Sequence, residues 1–138
     1  MLRERRLERR KAHHACQIFV KLVSSMSDSL PIIEATYRLY KQVYDINQKL
    51  AKQQRYGIGI SAEQSLMALL EQLFLAQHSP KPHKATYLLR ANAQLDTLRL
   101  KLRLYLELEL ANETRLFQSQ AIVDDIGRML GGWLRSLK

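Results

Sequence analysis

From Leu98 to Leu110 every second residue is a leucine and the residues between them are charged except Tyr105, and this run limits the folds open to the chain more than any other segment. A period of two is the signature of a half-buried strand. The residues argue against one. Leucine, lysine, arginine and glutamate are good helix formers, the run holds no valine, isoleucine or threonine, and it continues a helical pattern that begins at Lys84. Wound at about 100° per residue, alternating leucines spread around most of a helix instead of forming one stripe. Such a helix has to be covered on more than one side, by its own fold and by a partner subunit.

The rest of the chain reads as helices separated by short punctuation. From Pro31 to about Gln53 apolar residues recur at Ile33, Tyr37, Tyr40, Tyr44 and Leu50 with charges between them. Gly57 and Gly59 then interrupt, and Ser61 with Gln64 forms a capping-box pattern ahead of Leu66, Leu69, Leu70 and Leu73, a second helix expected to end near Gln77. Ser79-Pro80-Lys81-Pro82-His83 is a proline-stiffened loop. Asn112 is placed to cap a last helix carrying Leu116, Ile122, Val123, Ile126, Met129, Leu130 and Trp133. Four long helices with short connections predict an all-α, up-down-up-down antiparallel four-helix bundle.

Its 138 residues make one domain, long enough to bury a core without staples. Lys and Arg number 22 against 13 Asp and Glu, a net +9, which makes polyanions the natural partners. Six of those cations and two carboxylates lie between Arg3 and Lys11. Met26-Ser27-Asp28-Ser29-Leu30-Pro31 reads as a protein beginning, so the expected division is a basic extension over 1–25, upstream of a native start at Met26 or serving as a helical arm, and a bundle domain over 26–138. A single cysteine, Cys16, fits a reducing cytoplasm. The apolar stretch from Cys16 to Val23 is short and broken by Lys21, so neither a signal peptide nor a membrane span is expected.

Catalytic constellations are missing. His13, His14, His78 and His83 are scattered, Asp124-Asp125 point about 100° apart on a helix with Arg128 within reach, and Gly57-Ile58-Gly59 is too short to cradle phosphate. No enzyme activity, metal, cofactor or small-molecule substrate is expected. The tyrosines at 37, 40, 44 and 56 read as base-stacking platforms or, better, as core residues. Positive charge remains: Arg99 and Arg103 share a helix face, and Arg90, Lys101, Arg128 and Arg135 extend the surface available to phosphate. Asp96, Arg99, Arg103 and Glu107 also read as an intrahelical row of ion pairs.

The ending Ile126-Gly127-Arg128-Met129-Leu130-Gly131-Gly132-Trp133 is the most specific word in the chain. Gly127 and Gly131, four apart, open one helix face to close approach by a neighbouring backbone, at about 1 kcal/mol of helix propensity each; the other reading is a helix fraying through Gly131-Gly132. Trp133 is expected to anchor the last turns against the bundle or a neighbouring subunit. With Leu95-Asp96-Thr97-Leu98-Arg99-Leu100-Lys101-Leu102-Arg103-Leu104 upstream, and with Leu30-Pro31-Ile32-Ile33-Glu34 and Arg55-Tyr56-Gly57-Ile58-Gly59, this ending resembles the Avd (accessory variability determinant) family of diversity-generating retroelements. The resemblance covers most of the chain after residue 25. It implies a four-helix bundle in a homopentameric ring that binds a reverse transcriptase and template-derived RNA, through arginines such as those of the leucine-arginine segment and beside the glycines. In that role it supports mutagenic cDNA synthesis, the adenine-mutating step of mutagenic retrohoming. Two other readings stay open: the four-helix bundle proteins encoded in ribosomal RNA intervening sequences, and a purely structural oligomerisation module.

Overall fold

A computed structural model describes the backbone of residues 2–27 and 31–138 and the side chains of 2–17 and 31–138. Asp28, Ser29 and Leu30, on which the reading of a protein beginning partly rests, lie outside the described residues, as do the side chains of the Cys16–Val23 stretch beyond Gln17. The chain divides into two compact units, 1–34 and 35–138. The first is dominated by the helix α1 (Leu2–Ser27), whose described side chains are all exposed.

The described residues are helical or in short connections, with no strand among them. Helix α2 spans Pro31–Gln48, and the short α3 (Lys52–Gln54) leads through a π-helical turn (Arg55–Gly59) into α4 (Ile60–His78); α5 (Lys81–Glu107) and α6 (Glu113–Ser136) complete the chain. Leu98–Leu110 is thus helical up to Glu107, as its composition requires. No helix of the described residues is long and apolar enough to cross a membrane.

The buried positions explain why the alternating pattern misleads. On α5 they are Leu88, Ala91, Leu95, Leu98, Leu102 and Tyr105, alternating steps of three and four. Ala62, Leu66, Leu69, Leu73 and Ala76 on α4, Thr36, Leu39, Val43, Ile46 and Leu50 on and just after α2, and Leu116, Ser119, Val123, Ile126 and Leu130 on α6 step the same way. This is the seam that near-parallel packed helices share. Of the remaining leucines of the period-two run, Leu100, Leu104, Leu106 and Leu108 stand exposed, Leu100 at 67%, and Leu110 is half-buried.

Two hairpins set the order. Ser79 and Pro80 turn α4 back along α5, so that the Lys101 ammonium reaches the Ser61 carbonyl at 2.9 Å and Ser65 Oγ at 2.6 Å. Lys84 donates to the Ala76 and Gln77 carbonyls at 2.7 and 3.1 Å, satisfying the open C-terminal end of α4. At the other turn Leu110 N donates to the Tyr105 carbonyl at 2.9 Å and Glu109 N to that of Leu106 at 3.2 Å. This is a Schellman motif, with Glu109 in the left-handed region at φ 54° where glycine is usual. Asn112 Oδ1 then accepts from Thr114 N and Arg115 N, the expected cap of α6.

Three local expectations change. Helix α2 stops at Gln48, not near Gln53. Gly57 and Gly59 do not break the chain, because the π-helical turn carries the backbone through them; Ser61 therefore lies inside a helix, and no side chain caps the start of α4. The tyrosines are not core: Tyr37 and Tyr40 are half-buried, while Tyr44 and Tyr56 are 46% and 62% exposed, since the seam runs along Leu39 and Val43.

Candidate nucleic-acid interface

The six cations nominated from the sequence fall into different environments. Arg99 is half-buried between α5 and α6, with Nη1 at 2.8 Å from Asp96 Oδ1 and Nη2 at 3.7 Å from Asp124 Oδ1. Arg103 Nε donates to Glu107 Oε1 at 2.9 Å, and Arg128 pairs with Asp125. The ion-pair row read from Asp96 to Glu107 is therefore formed, and the carboxylates of Asp124-Asp125 diverge to two different arginines. These pairs are exposed or half-exposed and each contributes at most about 1 kcal/mol, yet each sets a negative charge beside its arginine that an anionic ligand has to displace or tolerate.

Lys101 faces inward. Its ammonium is held by α4, and desolvation lowers its pKa below the usual lysine value. Arg90 and Arg135 differ from the other four: both are exposed, and neither has a carboxylate partner among the described residues. The Arg90 guanidinium lies 5.8 Å from the centre of the Tyr87 ring, a cation–π contact that leaves its donors available.

The glycines seat arginines. A Cβ built on Gly127 would lie 2.6 Å from Arg99 Nη2 and 3.6 Å from Leu95 Cδ2, and no backbone outside its own helix is among its three nearest neighbours. Within one chain, the close approach that Gly127 permits is that of a guanidinium from α5. Beside Gly131 and Gly132 the nearest atoms are Arg135 Nη1 and Nη2, at 3.4 and 3.9 Å from the same constructed position. Helix α6 does not fray there; it runs to Ser136, with Trp133 half-buried on it.

Sequence reasoning missed a buried polar network beside the π-helical turn. The Tyr105 hydroxyl donates to Asn47 Oδ1 at 2.5 Å, and Asn47 Nδ2 donates to the Gly59 carbonyl at 2.9 Å and to Glu63 Oε2 at 3.0 Å. The Tyr40 hydroxyl reaches Glu63 Oε1 at 3.5 Å. Burial, and after it the Glu63 charge, push the Tyr105 phenol up to about 12 against the opposing bond to Asn47. The absent side chain at Gly59 lets Asn47 in, since a Cβ there would sit 3.2 Å from Asn47 Cγ. A lone asparagine in an apolar stripe was the available signal.

Nothing among the described residues assembles three or more metal-ligating side chains. A groove of about 1010 Å³ runs along α4 beside Tyr40, floored by Met67, Phe74 and Leu75 and edged by Glu63 and Glu71. Its apolar floor and acidic edge are unsuited to phosphate. The family model described as bAvd-like matches residues 30–137. No curated protein matches the chain.

Proposed function

The chain belongs to the bAvd-like family, and from that premise we propose that it is a non-enzymatic accessory subunit of a diversity-generating retroelement, working in the cytoplasm with the retroelement's reverse transcriptase. In this role α2, α4, α5 and α6 form an up-down-up-down antiparallel four-helix bundle, and bundles assemble as a homopentameric ring. The ring holds the polymerase and template-derived RNA while mutagenic cDNA is made, and the polymerase supplies the chemistry.

The family match over 108 residues carries this reading. Two physical features support it. The net charge of +9 suits a polyanionic partner, and rigid helices hold their cations at fixed spacing, which lowers the entropy lost on binding. Leu89, Leu100 and Leu104 share the outward side of α5, the second apolar side that the leucine run called for; burying them against another subunit removes apolar surface from water at about 25 cal/mol per Å².

The test is co-purification with the reverse transcriptase encoded nearest this gene, with and without ribonuclease, followed by mass measurement. A complex with five copies of this chain per polymerase is the expected result. A folded, oligomeric chain that ignores the polymerase under both conditions overturns the proposal in favour of the ribosomal-insertion or purely structural readings.

A further inference from the structure

Charge is distributed unevenly along the 35–138 unit. No carboxylate side chain occurs in residues 72–95 or in residues 126–138, which together carry Lys81, Lys84, Arg90, Arg128, Arg135 and Lys138, with His78 and His83 beside them. The fold brings these two segments to the same end. Gly127 lies against Leu95, and α6 runs back along α5 after the turn at Leu108–Asn112. At about 1.5 Å per residue on both helices, Arg135 stands level with Tyr87, and Lys138 follows just past the end of α6. Carboxylates gather towards the opposite end, where Glu109 and Arg115 line a small cleft with Ile46 and Lys49, and where Asp45, Glu107 and Glu113 also belong.

Resting on the accessory-subunit reading, we infer that the end of the bundle formed by the α4–α5 turn and the last turns of α6 is the surface that binds the RNA phosphate backbone, through Lys81, Arg90, Arg135 and Lys138. The arginines nearer the middle of α5 and α6 are a poorer phosphate site, because Arg99, Arg103 and Arg128 each keep a carboxylate within ion-pair distance. A phosphate approaching any of them meets that negative charge or must displace it. Among the described residues no carboxylate lies within ion-pair distance of Lys81, Arg90, Arg135 or Lys138, and Glu71, on α4 at the level of Arg90, is the acidic residue nearest this end. Lys84 contributes charge there while its ammonium stays on the α4 carbonyls. Arg135, lying along Gly131 and Gly132, is free of a carboxylate among the described residues, and Arg90 is exposed beside the Tyr87 ring. Phosphate contacts of this kind position the RNA without reading its sequence.

The test uses the full chain and fluorescein-labelled single-stranded RNA of mixed sequence, titrated over a range of salt. The variant Lys81→Gln/Arg90→Gln/Arg135→Gln removes three exposed charges, and Lys41→Gln/Lys49→Gln/Lys52→Gln removes three exposed charges on and just after α2 as its match. Counterion release predicts that losing three single-strand phosphate contacts flattens the log–log salt slope by about 2 and weakens binding about 100-fold at about 0.1 M salt. The matched variant weakens binding by no more than about threefold and shifts the slope by no more than about 0.5. Equal losses in the two variants, or a loss that follows only Arg103→Gln/Arg128→Gln, overturn the placement while leaving RNA binding intact. Retained RNA binding with loss of the polymerase overturns it too, and makes this end a protein contact. A wild-type chain that does not bind RNA overturns the functional reading on which the placement rests.

Discussion

Replacing Gly127 with alanine sets two effects of similar size against each other. Alanine in a helix interior is favoured over glycine by about 1 kcal/mol. Against that, the new methyl would sit 2.6 Å from Arg99 Nη2, a separation at which one of the two must move. The moving part is the far end of a flexible side chain, and turning it aside costs about 0.5 kcal/mol in rotamer energy. It also gives up the 3.7 Å contact with Asp124, worth about 0.3 kcal/mol at this exposure, while the Asp96 pair, within α5 itself, survives. The balance is a stability within about 0.5 kcal/mol of the wild type, or a shift of about 2 °C in Tm, read by urea and thermal denaturation followed by circular dichroism. A loss of 2 kcal/mol or more would refute the reasoning, because it would mean that Arg99 cannot yield and that Gly127 is required by tight packing between the helices.

Glu109→Gly relieves a left-handed residue at the end of α5 and is expected to raise stability by about 1 kcal/mol, measured as a higher urea midpoint at unchanged slope. Asn47→Ala strands the Tyr105 hydroxyl and the Gly59 carbonyl in the core and should cost about 3 kcal/mol in the same measurement. The Tyr105 phenol, raised from 10.0 to about 12, contributes stability that is fully present below pH 10 and is lost as pH climbs towards 12, because the unfolded chain ionises first. Tyr105→Phe should remove that part of the alkaline fall in stability and the latest step in the phenolate absorbance titration. Lys101→Met should leave RNA affinity unchanged, since its ammonium is spent on Ser61 and Ser65.

Helix type and the Asn112 cap followed from the sequence alone, because each rests on interactions within a few residues of the chain: propensity, periodicity and a side chain within reach of the next backbone amides. The ion pairs Asp96–Arg99 and Arg103–Glu107 were legible for the same reason, being neighbours on one helix. Which leucines of the Leu98–Leu110 run are buried was not legible, since a period of two fits every face of a helix equally; only packing against α4 and α6 selects Leu98, Leu102 and Tyr105. The passage through Gly57 and Gly59 was hidden as well, because the group that takes the Gly59 carbonyl, Asn47, is twelve residues away. The candidate interface shows the same division. Net charge is a sum over residues and is fixed by composition, whereas the charge available to a ligand depends on distance: Asp124 meets Arg99 across two helices, and Gly127 gives that same guanidinium its place. Coulomb energy falls with separation in space, and separation in space is what the tertiary structure decides.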